Sequence, residues 1–588
     1  MKELNPLEMA DWQIAEAAEA NMKTIYELGD ILGLEKEEVL PYGHYIGKVD
    51  GQRILNRLEN RPNGKYIDIT AITPTPLGEG KSTTTIGLLQ GLGVIGKKAS
   101  AAIRQPSGGP TFNIKGSAAG GGLAQCVPLT DFSLGLTGDI DAIEKAHNLA
   151  MVALTARMQH EFNYSDKFLE KRDITRLNID PRNVEIGWAI DFSAQALRQI
   201  MIGLGGKRDG FMMESGFQIT VSSELMAILA IAKDLKDMRE RIGKMIVAYN
   251  KRGKPITTED LEVAGAMTAI MAKTIMPSLV QTIEGQPVFV HAGPFANIAI
   301  GQSSITADYL GLKLADYHLT ESGFGADIGF EKFVNLKCRF SGLKPDCAVI
   351  VATVRALKMH GGGPSVKPGK ALDKAYTEKN MELLEAGMSN LMAHIETVQS
   401  VGVTPVVCIN HFYTDHDEEI DLIRKAVEAK GVRVAVSKHW LKGGAGAIEL
   451  AEAVVAACEE PSNFQYSYQS DDTIIEKIEA LTKQVYGGDG VDFSDEAKQK
   501  ITKLQEDENL KDLGVCMVKS HLSLSDNPNL KGRPTGWRLQ VHDVKVFQGA
   551  GFIVPMAGTI KLMPGTGSNP NFRRIDVNVE TGKVTGLF

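Results

Sequence analysis

Residues 78–82, Gly-Glu-Gly-Lys-Ser, follow the alternating run Tyr66 to Ile72 and precede a helix-forming stretch, Thr83–Gly91. A strand, a glycine turn and a helix that opens on Lys-Ser make a cradle for phosphate. Glycines let backbone N–H groups approach phosphate oxygens, and a helix N-terminus favours negative charge. In this reading Thr75, Pro76, Leu77, Gly78, Glu79, Gly80, Lys81 and Ser82 wrap ATP. Lys81 reaches the β/γ-phosphates, and the Ser82 hydroxyl serves Mg²⁺. Thr75 stands where the pattern G-x-x-x-x-G-K-[ST] has its first glycine. Gly-Lys-Ser alone also fits a surface turn with a solvated lysine; the strand before it and the helix after it favour the phosphate reading.

Four further residues could serve such a site. Arg104 follows the apolar strand Lys98–Ile103 and opens a glycine-rich run, Gly108 to Gly122. That placement aims a cation at a phosphate, although a solvated loop arginine has the same pattern. Asp139 ends a stretch read as a strand, Phe132–Leu136 followed by Thr137-Gly138. An aspartate at a strand end can hold Mg²⁺ directly or through water, and a plain turn aspartate fits equally. Phe412 and Trp440 each follow a short strand, where an aromatic either packs inward or offers its face to a flat ligand.

Elements in the right order must position these residues. Short apolar runs at Val288–Val290, Tyr317–Thr320, Cys347–Ala352, Pro405–Ile409 and Val432–Ser437 each end in polar or glycine residues, such as His291 to Asn297 and Glu321 to Asp327. Helical stretches at 378–398 and 416–429 separate several of them. This rhythm predicts an α/β fold with a parallel sheet whose ligands bind beyond the carboxyl ends of its strands. A chain of 588 residues exceeds one core. We therefore expect a nucleotide-binding sheet domain in two parts, 1–160 (with an amphipathic helical arm at 8–36) and 286–460. A helix-rich insertion at 161–285, helical at 223–250 and 258–280, interrupts it. A smaller α/β domain at 461–588 follows Pro461.

Composition restricts the function classes. Apolar content of 43%, charged content of 23% and a net charge of −8 without a basic block describe an ordinary globular chain with no nucleic-acid or anionic-membrane signature. No apolar run reaches the length of a membrane span, and the N-terminus lacks a signal core. The six scattered cysteines form no C-x-x-C pair, which speaks against a zinc site or disulfide framework and for the cytoplasm.

Thr73-Pro-Thr-Pro-Leu-Gly-Glu-Gly-Lys-Ser-Thr-Thr resembles the ATP loop of the formate–tetrahydrofolate ligase (formyltetrahydrofolate synthetase) family, and the resemblance runs from about residue 12 to Phe588. It implies a cytoplasmic homotetramer of one-carbon metabolism. ATP and Mg²⁺ convert formate to formyl phosphate, and tetrahydrofolate takes the formyl group. Lys81 and Arg104 would be the catalytic pair, with Arg104 contacting formyl phosphate. Phe412 and Trp440 would sandwich the pterin ring of the folate.

The family pattern is not matched throughout. Gln105 stands for a glutamate that helps bind an activating K⁺ or NH₄⁺; Gly135, Asp141 and Ile300 stand for histidines, Gln218 for aspartate and Ala445 for glutamate. The resemblance thus implies a divergent member whose monovalent cation dependence is in doubt and whose Arg104 lacks a neighbouring anion. A ligase that acylates another acceptor, and a nucleotide-binding homologue without turnover, are the alternatives; intact Lys81, Ser82 and Arg104 oppose the second.

Overall fold

Strands of nearly unbroken apolar sequence build the centre of the molecule, here described from a computed structural model over residues 4–113, 118–295, 298, 300–366, 371–558 and 561–588. The main sheet has twelve strands. They are β1 (Val39–Pro41), β2 (Gly47–Val49), β3 (Lys65–Ala71), β4 (Ala99–Ile103), β5 (Gly120–Gly121), β6 (Ala124–Val127), β7 (Ser278–Thr282), β8 (Pro287–Val290), β9 (Tyr317–Glu321), β10 (Cys347–Ala352), β11 (Thr404–Asn410) and β12 (Arg433–Ser437). Their lateral order is β1-β2-β7-β8-β4-β9-β3-β10-β11-β12, with β6 on β7 and β5 on β6. From β8 to β12 every pairing is parallel, whereas β1, β2 and β7 pair antiparallel along one side.

The strands are apolar at successive positions because both faces of the sheet are covered. Ile67, Ile69 and Ala71 of β3 pack with Ile86, Leu89 and Leu92 of the helix Lys81–Val94 and with Leu450 and Val454 of the helix Ile448–Cys458. Tyr66, Ala348, Ile350 and Val407 point to the other face, against Leu384, Leu391 and Ile395 of the helix Met381–Ser400 and Ile423 of the helix Asp417–Glu428. The helix after β3 and the helix Val354–His360 after β10 therefore lie on opposite faces. Adjacent parallel strands whose helices diverge in this way open a crevice beyond their carboxyl ends.

Two expectations need correction. Phe132 lies in a short helix, Leu129–Ser133, followed by left-handed Gly135 and Leu136; its ring packs in the core and no strand forms there. The segment 161–285 is mixed and not predominantly helical. Its helices Glu224–Ile231 and Leu235–Gly243 are followed by strands Ile246–Asn250 and Pro255–Thr257 before the helix Ala264–Met271, and its end supplies β7 to the main sheet. Asp234 caps a new helix by accepting from the Asp237 N–H at 2.7 Å, which breaks the expected single helix. The β-branched and aromatic run Ile246-Val-Ala-Tyr then pairs across the Gly253 turn.

The C-terminal segment carries its own small sheets, Val491–Phe493 with Leu539–Val541 and Gly514–Val515 with Phe552–Met556 and Asp543–Phe547. Its core surrounds Ile478, Leu481, Leu539 and Ile553. Phe552 and Val554 pack instead with Ile228, Val247 and Leu336, tying this segment to the insertion.

Candidate active site

The loop between β3 and the helix Lys81–Val94 is shaped by its own side chains. Gly78 and Gly80 adopt φ of +74° and +77°, which a residue with Cβ rarely does. The Glu79 side chain folds back under the loop, where its Oε1 accepts from the Thr75 N–H at 2.7 Å and from the Thr75 hydroxyl at 3.1 Å. This short Thr75–Glu79 clasp closes the turn at the position where the common pattern carries glycine. Asn410, the last residue of β11, donates through Nδ2 to the Glu79 carbonyl at 3.0 Å, and a Cβ on Gly80 would lie 2.5 Å from that nitrogen. A side chain at 80 would therefore have to displace the Asn410 amide from the loop and hold a left-handed backbone. Burial raises the Glu79 carboxyl and lowers the Lys81 ammonium, each offset by the other's charge.

The strand on the other side of β3 completes the cluster. Glu321, the last residue of β9 and 3% exposed, accepts from the Ser82 hydroxyl at 2.7 Å and pairs with Arg104 Nε at 3.2 Å. Lys81 feels both Arg104 and Glu321. The structure therefore brings Lys81, Ser82 and Arg104 together, as expected from their strand-end positions. Arg104 does not lack a neighbouring anion: Glu321 supplies it. Sequence reasoning did not assign Glu321 a role, although an acidic residue closing a strand was its visible signal. Gly323 presses against Arg104, where its Cβ would fall 3.0 Å from Nη1, and Gly301 packs against Gly323 in turn.

Gln105 is buried, donates through Nε2 to the Gly135 carbonyl at 3.4 Å, and leaves Oε1 without a partner among the described residues. Asp139 does not face this cluster as a free carboxylate. It opens the helix Asp139–Asn163 and forms a buried ion pair with Lys48 at 2.7 Å, so its charge is already committed. Lys48 also donates to the Met276 carbonyl at 2.8 Å. The remaining family departures scatter. Ile300 is core, Asp141 and Ala445 are exposed, and Gln218 lines a cleft of about 1100 Å³ between the insertion and the C-terminal segment. Residues 114–117 of the glycine-rich run and Asn297 lie outside the described residues.

Phe412 and Trp440 follow the neighbouring strands β11 and β12, whose ends Asn410 and Ser437 are paired. Both side chains are half-buried. The Phe412 N–H donates to Asp415 Oδ2 at 2.8 Å, and the Arg355 guanidinium lies 4.3 Å from the Phe412 ring centroid, covering one face. Burial pushes the Asp415 carboxyl up to about 6. The Trp440 carbonyl accepts from Leu123 N–H at 2.9 Å, and Gly122 sits so close that its Cβ would strike the indole at 2.7 Å.

A buried polar layer anchors the crevice to distant sequence. The Thr73 N–H donates to Asn390 Oδ1 at 3.2 Å, and the Thr73 hydroxyl accepts from Asn390 Nδ2 at 2.9 Å and meets His394 Nε2 at 2.9 Å. His360 Nε2 donates to the Thr73 carbonyl at 2.8 Å. Burial holds both imidazoles down to about 4, hence neutral. Asn390 also donates to the Gly532 carbonyl at 2.9 Å, and Lys519 pairs with Asp327 at 2.7 Å in a fully buried bridge. The C-terminal segment is thereby fastened to the loops that leave β3 and β9.

Residues 9–588 match the family described as formate–tetrahydrofolate ligase. A protein of that name from Desulforapulum autotrophicum is 65% identical over 589 residues, covering all of both chains. Others from Lawsonia intracellularis and Dehalococcoides mccartyi are 64% and 63% identical, covering all of this chain and 100% and 98% of their own lengths.

Proposed function

Because the chain belongs to the formate–tetrahydrofolate ligase family, we propose that ATP activates formate at Lys81, Ser82, Arg104 and Glu321, and that Phe412 and Trp440 hold the folate. The activity is the ATP-dependent joining of formate to tetrahydrofolate, giving 10-formyltetrahydrofolate, ADP and phosphate. Full-length identity above 60% does not favour the alternatives of another acceptor or of binding without turnover.

Formate is a poor electrophile because its carboxylate is resonance-stabilised and its leaving group would be oxide. Attack of a formate oxygen on the γ-phosphoryl turns that oxide into phosphate, giving formyl phosphate and ADP. Lys81 and Arg104 supply positive charge where the equatorial phosphoryl oxygens gather it, in a site partly closed to water. Glu321 holds the Arg104 guanidinium in one orientation, and the Thr75–Glu79 clasp fixes the loop beneath the phosphates. The Ser82 hydroxyl and Glu321 carboxylate are hard oxygen donors that would hold Mg²⁺, and the bound ion would offset charge on the β- and γ-phosphates. N10 of tetrahydrofolate then attacks the formyl carbon and expels phosphate. The uncovered face of Phe412 and the indole of Trp440 provide flat apolar surface for the pterin at the neighbouring strand ends.

The observation that carries this reading is Glu321 joined to both Ser82 and Arg104 beside Lys81. We also infer a cytoplasmic enzyme, since buried thiols such as Cys126, Cys338 and Cys408 suit a reducing compartment. A homotetramer fits the exposed Phe162, Leu204 and Met212 of the insertion, which association would cover. Sedimentation measures the latter. The test of the chemistry is phosphate release from ATP that requires formate and rises with tetrahydrofolate. Lys81→Ala should lower it on the order of a hundredfold or more at unchanged melting temperature; near-normal turnover would remove Lys81 from the site.

A further inference from the structure

His521 belongs to the C-terminal segment yet stands beside the phosphoryl crevice. Its ring lies 4.9 Å from that of Phe324, at an interplanar angle of 37°. Phe324 follows Gly323, the residue pressed against Arg104, and lies three residues beyond Glu321. Its backbone is left-handed, with φ +62°, a conformation that an aromatic residue holds only where its surroundings impose it. Those surroundings are visible. Asp327 ends the loop and binds Lys519, whose ammonium also donates to the carbonyls of Ser520 and Ser523 at 3.1 and 2.8 Å. The same bridge thus fixes both the loop carrying Phe324 and the loop carrying His521.

Phe324, His521, Phe295, Lys332 and Asp526 line a cavity of about 500 Å³ between the strand-end loops and the C-terminal segment. His521 is exposed there, and neither of its ring nitrogens has a protein hydrogen-bond partner among the described residues. A histidine whose ring is tilted against Phe324, with both nitrogens open, is available to a reacting group.

We propose that His521 accepts the N10 proton of tetrahydrofolate during formyl transfer. The assignment rests on the ligase reading given above. The first step, formate attack on ATP, moves no proton. In the second, the N10–C bond forms, the C–O bond to phosphate breaks with its electron pair leaving on phosphate, and the N10 proton passes to a ring nitrogen of His521. The exposed ring then returns that proton to water. The charges facing the ring favour its neutral, accepting form. Partial desolvation and the cations Lys519, Lys531 and Lys81 lower its pKa, and Asp327 opposes them.

Rapid quench of the intact enzyme separates the steps. In His521→Gln, formyl transfer should slow about a hundredfold, the lower range for a general base, while ADP formation from ATP and formate stays within about threefold. The transfer rate of the native enzyme should fall on the acid side as His521 is protonated, and that limb should vanish in the variant. Imidazole added to His521→Ala should restore part of the rate. Equal loss of both steps would make His521 part of the phosphate site or the fold and overturn the assignment, as would transfer within threefold of native at every pH. If the native enzyme itself formed no ADP with formate, the ligase reading would fail first, which is a distinct result.

Discussion

Ser82 and Glu321, 239 residues apart, meet at 2.7 Å because β9 inserts between β3 and β4 and ends level with the glycine-rich loop. The carboxylate joins the helix-opening serine to Arg104 on its far side. Replacing Glu321 with Gln keeps the length and removes the charge. We expect kcat to fall on the order of a hundredfold, with more Mg²⁺ needed for half-maximal rate, since a charged oxygen partner is lost in a water-poor site. Initial rates against Mg²⁺ concentration measure this. A native Mg²⁺ curve in Glu321→Gln would reduce Glu321 to a support for Arg104.

Trp440→Ala should raise the tetrahydrofolate KM about twofold to tenfold, the range for stacking worth roughly 0.5–1.5 kcal/mol beyond area burial, with little change in nucleotide affinity. Because Gly122 rests on this indole, Trp440→Phe serves as a companion that keeps part of the packing. Should ADP affinity fall while folate affinity holds, Trp440 belongs to the nucleotide pocket.

His394 links stability to pH. It is buried and neutral at about 4 against an ordinary 6.5, so between those values the unfolded chain binds the extra proton. Its contribution is therefore complete above 6.5 and lost as pH falls toward 4. Against His394→Gln, which cannot titrate, the native advantage in chemical denaturation should shrink by up to about 1.4 kcal/mol per pH unit across that window. A constant difference from pH 7 to 4 would show that His394 is not held neutral.

What could be read from the chain was local. The β3–loop–helix unit declares itself because Tyr66 to Ile72, Gly80 and Lys81 lie within one stretch, and the strand ends carrying Arg104, Phe412 and Trp440 follow the same short-range rule. What escaped was decided by partners far along the chain. Asp139 resembled a metal ligand because Lys48, 91 residues earlier, is invisible as its counter-ion. Thr73 gives no hint of Asn390, 317 residues away. The insertion reads locally as helical over 223–250 and 258–280, while its strands at 246–250 and 255–257 depend on pairing with each other.

Gln105 marks where this chain should part from a cation-activated enzyme. A monovalent cation binds when fixed oxygen charge offsets its dehydration. Here the available group is one neutral amide oxygen, buried and unpartnered, next to the Arg104 cation. An amide oxygen carries only partial charge, and the adjacent guanidinium opposes a second positive ion. Glu321 already serves Arg104, Ser82 and the proposed Mg²⁺, so it does not substitute. We therefore expect initial rates in sodium, potassium and ammonium buffers of equal ionic strength to agree within about twofold. Gln105→Glu should bring K⁺ activation, because the carboxylate would sit where Oε1 now lacks a partner and add a full charge. Strong K⁺ activation of the native enzyme, left unchanged in Gln105→Glu, would place the cation on other oxygens and refute the role given to residue 105.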